Sequence, residues 1–273
     1  MARLTVYGAR GSFPVFGDAY RRYGGQTSCF AVENDQGILV IDAGTGIRDL
    51  GQQLNELKVL PPITILFTHL HLDHLLGLAA FKPLLRRDAK ITFMGDAKVH
   101  GDWPRVLQGL ISAPYWPVDL IHMGAELSFT PLPAKGPLAL YGHEIRSCPI
   151  SHPQGCLGYR IESGKRSLVI ATDYEIGEEM FDRGFAAFAK GADILVHDAQ
   201  YTPDDYGVHK GWGHCTWQHA VETAERVGSK ELILTSHDPV RTDEAVDRLL
   251  AAARERFPKS AAATPGMTLD LSP

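Results

Sequence analysis

Short apolar runs recur along the chain and predict β-strands, because strands of a packed sheet read as brief hydrophobic segments between turn-forming residues. Most of these runs are four to seven residues long and end at Gly, Pro, Asn or Asp. The predicted strands are 4–7, 29–33, 38–41, 63–67, 91–94, 144–150, 157–161, 168–171, 194–196 and 232–234.

Apolar residues at helical spacing separate several of these runs and predict helices over 47–57, 75–85, 178–189, 216–227 and 243–257. In the last of them, Ala245, Leu249 and Ala252 share one face. Thr216 and Asp243 are residues suited to start a helix.

Hairpin signals occur in both halves of the chain, at Asn34-Asp35-Gln36-Gly37 and at Ser163-Gly164-Lys165-Arg166. Each half then alternates strands with helices, which predicts an α/β protein in which two mixed sheets face each other with helices outside. We expect one domain over 1–273, since no Ser/Gly-rich linker divides the halves. The segment 97–142, with aromatic residues over 103–117, is less regular; we interpret it as a packed surface loop, with a lid or a subunit contact as alternatives.

Composition narrows the class of protein. The 273 residues are 44% hydrophobic and 22% charged, which is typical of a globular chain and excludes disorder. No apolar run approaches the roughly 18 residues that span a bilayer, and no signal peptide is recognisable, so we expect a cytoplasmic protein. The net charge of −5 argues against a generic nucleic-acid coat. The four cysteines form no CxxC pair and are expected to be buried thiols.

The twelve histidines are the unusual count. Several lie at the ends of predicted strands, where ligands bind in α/β architectures. Four predicted strands end at a potential ligand, namely His69, Asp173, Asp198 and His237. These strand ends are expected to converge on one cleft.

The densest cluster is His69-Leu70-His71-Leu72-Asp73-His74. Alternate residues of an extended segment point the same way, so His69 and His71 can bind one ion. The turn that follows can direct Asp73 and His74 toward a second ion. The pattern is improbable by chance and predicts a metal site.

This HxHxDH loop resembles the signature of the metallo-β-lactamase-fold hydrolases. Further family motifs follow in order across nearly the whole chain, at Asp42, His152, Asp173 and His237. The resemblance implies a four-layer αββα sandwich. It further implies that one metal is held by His69, His71 and His152, the other by Asp73, His74 and His237, with Asp173 bridging the two. Asp42 would orient the metal loop without binding the metal.

The ligand types favour two Zn²⁺ ions, because nitrogen-rich sites with carboxylates and no thiolate suit zinc, although Mn²⁺ or Fe²⁺ also fit. The redox-active di-iron members of the fold have Glu where this chain has His71, which argues against an oxidase. Class B β-lactamases usually carry an export signal and mostly place Cys where this chain has Asp173, so we discount that activity as well.

A later region distinguishes the branches of the fold. Asp198 in His197-Asp198-Ala199 and His214 in Gly213-His214-Cys215 resemble an acid and histidine pair of the ribonuclease Z and small phosphodiesterase branch. The resemblance implies that a metal-bridging hydroxide attacks phosphorus while His214, oriented by Asp198, assists the leaving group. The predicted catalytic residues are Asp198 and His214, together with Asp73 of the metal loop. Whether Arg10 or Thr27, in two glycine-rich segments near the site, contacts substrate is left open.

One departure from ribonuclease Z bears on the substrate. That enzyme carries a long basic arm that binds transfer RNA, inserted in the stretch between the positions of His152 and Asp173, where this chain has only two predicted strands and a hairpin. We therefore expect a small phosphodiester, such as a cyclic nucleotide or related cyclic phosphate, and no stable nucleic-acid complex. The alternatives are an RNA-processing endonuclease, a thioesterase or lactonase, and a non-catalytic metal-dependent sensor; a homodimer is implied only by the resemblance.

Overall fold

Alternating side chains along the strands sort the apolar residues into separate cores. In the strand Ile38–Ile41, Leu39 and Ile41 join the core between two sheets, whereas Ile38 and Val40 join a core on the outer face. This follows from the period of two residues in a β-strand. Each sheet therefore buries both faces, one against the other sheet and one against helices.

The computed structural model describes residues 2–272, so the first and last residues of the predicted domain 1–273 lie outside the described residues. The strands are β1 (Arg3–Gly8), β2 (Cys29–Glu33), β3 (Ile38–Ile41), β4 (Ile63–Leu66), β5 (Lys90–Gly95), β6 (Glu126–Pro131), β7 (Leu138–Leu140), β8 (His143–Ile150), β9 (Cys156–Ser163), β10 (Arg166–Ala171), β11 (Ile194–Asp198), β12 (Glu231–Thr235), β13 (Ser260–Ala262) and β14 (Thr268–Asp270).

These strands form two seven-stranded mixed sheets, ordered β14-β1-β2-β3-β4-β5-β6 and β13-β12-β11-β10-β9-β8-β7. In the first sheet β3 to β6 run parallel and the β14-β1-β2-β3 side is antiparallel. In the second, β10 to β13 run parallel and β7 to β10 are antiparallel. Both halves of the chain thus combine hairpins with βαβ connections, as the sequence predicts.

Helices cover the outer faces of both sheets. They are α1 (Ile47–Asn55), α2 (Ala97–His100), α3 (Trp103–Leu110), α4 (Glu179–Ala189), α5 (Pro203–His209), α6 (Trp217–Val227) and α7 (Asp243–Arg256). α1 and α3 contribute to the outer core of the first sheet, and α4, α6 and α7 to that of the second. The arrangement is the four-layer αββα sandwich expected from the sequence. Within residues 2–272, no helix combines the length and apolarity needed to cross a membrane.

Two predictions of local structure were wrong. The helix predicted over 75–85 is a series of short 3₁₀ turns, Leu76–Ala80 and Lys82–Leu85. Pro83 lacks the amide that a helix interior requires, and Gly77 packs so closely on the carbonyl oxygen of Gly44 that a β-carbon would lie 2.0 Å from it. The segment 97–142 is more regular than a surface loop, since it contains α2, α3, β6 and β7.

Candidate metal centre

The loop after β4 carries the HxHxDH motif and is fixed by a single buried carboxylate. Asp42 accepts hydrogen bonds from the Thr68 amide and from its hydroxyl, both at 2.8 Å. It also accepts the Nδ1–H of His74 at 2.7 Å. The bond to Nδ1 leaves Nε2 of His74 as the free nitrogen, which is how a carboxylate selects the tautomer of a ligand histidine.

Three histidines present nitrogens to one point. One ring nitrogen from each of His69, His71 and His152 lies within 4.8 Å of the other two. Nδ1 of His71 and Nε2 of His152 are 3.2 Å apart. Burial lowers the pKa of His69 and of His152, which favours the neutral form that binds metals. The structure thus brings these three predicted ligands together.

Asp173, which follows β10, lies at the centre of the cluster. Its Oδ2 is 3.6 Å from Nε2 of His69, 3.3 Å from Nε2 of His74 and 4.0 Å from Nε2 of His152. Nε2 of His74 is also 3.3 Å from Oδ2 of Asp73. One carboxylate oxygen therefore lies between the three-histidine group and the pair formed by Asp73 and His74, as a bridging ligand requires.

The chemistry of these donors fits divalent metal ions. Nε2 of His69 and Nε2 of His74 are buried and have no hydrogen-bond partner among the residues that the structure describes. Buried polar atoms of folded proteins are nearly always paired, so an unpaired one needs an explanation, and a bound ion is one. Imidazole nitrogen combined with carboxylate oxygen is a donor set typical of zinc.

The outer nitrogen of His152 is held by the loop that also carries His214. Nδ1 of His152 donates to the carbonyl oxygen of Gly213 at 2.8 Å. Gly213 has φ +90°, and a β-carbon there would lie 2.2 Å from Nδ1 of His152, so glycine is required. Glu175 accepts the amide hydrogens of Gly211 and Gly213 at 2.6 and 2.7 Å and thereby fixes this loop.

Sequence reasoning missed Glu175 and two further residues that position ligands. Nε2 of His71 lies 3.2 Å from Oε1 of Gln154. His100 donates from Nε2 to the Thr68 carbonyl oxygen at 3.0 Å and so ties α2 to the metal loop. No local motif marks Gln154 or His100. The closely spaced Gly211 and Gly213 were the one signal that a tightly packed loop lies beside His214.

Asp198 and His214 form a buried pair beside Asp173. Nδ1 of His214 donates to Oδ2 of Asp198 at 2.6 Å, and Oδ1 of Asp198 accepts the Cys215 amide at 2.8 Å. Nε2 of His214 lies 3.9 Å from Oδ2 of Asp173 and so faces the cluster. Burial opposes protonation, but Asp198 and Asp173 outweigh it and raise the pKa of His214 to about 9. The geometry matches the predicted pairing.

His237 does not join the cluster, so the expectation that it binds the second metal is not met. Its Nε2 donates to the carbonyl oxygen of Ala263 at 2.9 Å, and its ring packs edge-on against Tyr23. The preceding residue faces the cluster instead: the Ser236 hydroxyl donates to the Thr172 carbonyl oxygen at 2.6 Å and lies 3.4 Å from Oδ1 of Asp173. Ser236 directly follows β12 and has φ +58°, so the chain leaves the extended conformation there and the ring of His237 points away from the cluster.

The glycine-rich segments near the N-terminus hold Arg10 and Thr27 as buried side chains. Arg10 is fully buried, and its guanidinium donates to the carbonyl oxygens of Gly24, Asp238 and Arg241. Thr27 is equally buried and exchanges hydrogen bonds with Thr45. The Ser12 amide donates to Oδ2 of Asp73 at 2.9 Å, so this segment orients a ligand instead.

The remaining histidines belong to no group of potential metal ligands among the described residues. His100 binds the Thr68 carbonyl, His143 pairs with Asn34, and His219 accepts the amide of its helix-capping residue. The others, His122, His197 and His209, lie against Asp119, the Asp198 carbonyl and the Asp205 carbonyl.

His197 gives a prediction on stability. Burial lowers its pKa to about 4 from an unfolded value near 6.5, so the unfolded chain binds more protons between these values. Stability should therefore fall as the pH falls through this window, and His197 alone should contribute about 2 kcal/mol of loss between pH 7 and pH 5. Urea unfolding of the wild type and of His197→Asn at both pH values checks this. An equal loss in both proteins would contradict it.

The comparisons with known proteins concern the family and the fold. A family model described as the beta-lactamase superfamily domain matches residues 38–237. Ribonuclease Z of Exiguobacterium sibiricum is 24% identical over 262 residues, which cover 79% of this chain and 86% of that protein. Ribonuclease Z of Brevibacillus brevis is 36% identical over a shorter stretch of 97 residues, or 34% of this chain and 29% of that protein.

Two solved structures share the fold over nearly their full length. The metallo-β-lactamase fold protein YhfI of Bacillus subtilis has a TM-score of 0.75 and 19% identity, covering 99% of this chain and all of that one. A diphosphatase from the PhnP family has a TM-score of 0.71 and 21% identity, covering 99% and 98%. At these identities the likeness concerns the fold.

Proposed function

We propose that this chain, which belongs to the beta-lactamase superfamily, hydrolyses a small phosphodiester with the help of two divalent metal ions. It is a hydrolase of the metallo-β-lactamase fold. The observation that carries the proposal is the placement of Oδ2 of Asp173 between the three-histidine group and the pair formed by Asp73 and His74.

In this proposal the first ion would be held by His69, His71 and His152, and the second by Asp73 and His74, with Asp173 shared. Zinc is the first choice for both positions, with Mn²⁺ or Fe²⁺ as alternatives. When bound, such ions supply Lewis-acid stabilisation of phosphoryl oxygens and activate water near neutral pH.

The proton for the leaving group is assigned to Nε2 of His214. This atom faces the cluster while the opposite nitrogen is held by Asp198, so the ring cannot turn without breaking a 2.6 Å hydrogen bond. In the metal-free protein the neighbouring carboxylates raise the pKa of His214 to about 9, and the bond to Asp198 favours the protonated ring. A departing alkoxide is a strong base, and a positioned imidazolium is the group best suited to protonate it.

Two features support a small substrate. The chain between His152 and Asp173 is occupied by β9 and β10, whose paired residues Ser163 and Arg166 leave only a two-residue turn. The net charge of −5 offers little general attraction for a polyanion. RNA processing remains the second candidate, because the relatives reported above are named ribonuclease Z.

The proposal is tested by a screen of metal-reconstituted protein against four substrates: a cyclic nucleotide, a chromogenic phosphodiester, a short RNA and a thioester. We expect the two small phosphodiesters to be hydrolysed and the activity to disappear with a chelator and return with Zn²⁺ or Mn²⁺. RNA cleavage in preference to the small diesters would favour the second candidate. Turnover of the thioester alone would indicate attack on carbon, and no turnover with bound metal would indicate a sensor.

A further inference from the structure

The two halves of the cluster differ in the donors that the chain gives them. The first ion receives ring nitrogens from His69, His71 and His152, and Asp173 adds an oxygen. On the other side, His74 is, among the described residues, the one histidine with a ring nitrogen within 4.0 Å of both Asp73 and Asp173. Nε2 of His214 lies 3.9 Å from Oδ2 of Asp173, but we assign this nitrogen to the leaving group. A fourth donor was expected from the end of β12, which here presents Ser236.

We infer that the second ion is held by three side chains only, Asp73, His74 and Asp173, and that it is bound more weakly than the first and exchanges with solution. This inference rests on the proposed metal centre. It assigns the two ions different parts: a resident first ion and a second ion that occupies its position at sufficient metal concentration.

His237 cannot supply the fourth donor by a simple rotation. Its backbone amide donates to the Ala9 carbonyl oxygen, and its own carbonyl oxygen accepts the Gly11 amide. Its ring is 1% exposed and is fixed by the bond from Nε2 to Ala263. Turning Nε2 of His237 to the cluster would leave the Ala263 carbonyl oxygen buried and without this hydrogen bond, which costs about 1–3 kcal/mol.

Ser236 occupies the position after β12 from which a fourth donor could face the cluster. Its hydroxyl donates to the Thr172 carbonyl oxygen and lies 3.4 Å from Oδ1 of Asp173, so protein oxygens already engage it. A neutral hydroxyl is also a poorer zinc ligand than imidazole, and zinc sites with three protein ligands leave the fourth position to solvent or substrate. Ser236 has φ +58°, a left-handed conformation in which histidine is comparatively well tolerated.

The test measures metal binding directly. Metal-free protein is titrated with Zn²⁺ in competition with a chromogenic chelator, and the bound metal is counted after dialysis. We expect one ion to survive dialysis and a second to bind at least about tenfold more weakly. The variant Ser236→His should raise the affinity for the second ion at least about tenfold. Residues that only hydrogen-bond to metal ligands already contribute that much to metal affinity.

Two variants act as controls. Ser236→Ala removes the hydroxyl without adding a donor, so it should not tighten the second ion. Because the hydroxyl lies 3.4 Å from Oδ1 of the shared Asp173, any loss of affinity should affect both ions alike. His237→Gln keeps an N–H donor for Ala263 and should retain the same metal count as the wild type. Thermal melting of each metal-free variant shows whether it is folded.

Three results would overturn the inference: equal affinity for two ions in the wild type, loss of the second ion in folded His237→Gln, or no gain in folded Ser236→His. Loss of the second ion in folded His214→Ala would overturn it too, since His214 would then be the missing donor. Failure to retain even one ion would instead overturn the proposed metal centre, so the two failures are distinguishable.

Discussion

Asp173→Ala should leave the protein unable to retain metal and without measurable turnover. Oδ2 of Asp173 lies within 4.0 Å of a ring nitrogen of each of four histidines, His69, His74, His152 and His214. No other carboxylate in the described cluster approaches so many, so its removal would take an oxygen from both of the proposed ion positions. Metal analysis after dialysis and the chromogenic phosphodiester assay measure the effect.

The expected size follows from what the ions contribute. Metal ions stabilise a phosphoryl transition state by several kcal/mol, which corresponds to at least about 10³-fold in kcat/KM. Asp182→Asn is the matched control, because Asp182 is a nearby carboxylate whose partners are the Tyr174 hydroxyl and the Gly177 amide. Unchanged metal content in folded Asp173→Ala would contradict the central role given to this residue.

The part of the site that sequence predicts well is local in the chain. His69, His71, Asp73 and His74 lie within six residues, so the geometry of one loop brings them together. Asp173 and Asp198 follow apolar strands whose carboxyl ends were expected to share an edge, and the resemblance to the metallo-β-lactamase fold implied their roles. Two facing sheets were predicted from the short apolar runs, and the resemblance implied the four-layer sandwich that the structure confirms.

Contacts between distant segments were beyond sequence reasoning. Gln154 meets His71 across 83 residues and Glu175 meets Gly213 across 38, and neither belongs to a local pattern. The placement of His237 away from the cluster has another cause: Ser236, directly after β12, has φ +58°, so side chains no longer alternate there as they do in a strand. Ser236 takes the inward position, and only the three-dimensional course of the chain reveals this.

His214→Asn should slow the release of poor leaving groups while the metal content stays unchanged. His214 contacts Asp198 through Nδ1 and faces the cluster through Nε2. The amide nitrogen of asparagine replaces Nδ1 and preserves a hydrogen-bond donor for the carboxylate, but asparagine cannot deliver a proton. Alanine would leave the buried Asp198 carboxylate without this partner, and breaking such a pair costs about 3–5 kcal/mol. Asparagine therefore separates the loss of the proton from a loss of stability.

The decisive measurement compares two diesters that differ only in their leaving group. Loss of a general acid costs about 10²–10⁴-fold when the leaving alkoxide is strongly basic. An alkyl diester should therefore lose turnover in this range, whereas a nitrophenyl diester, whose leaving group departs as a stable anion, should lose much less. Asp198→Asn should show the same selectivity more weakly. It removes only the negative charge that orients His214 and raises its pKa. Equal slowing of both diesters would show that His214 acts on binding or on metal retention, and the role of proton donor would have to be given up.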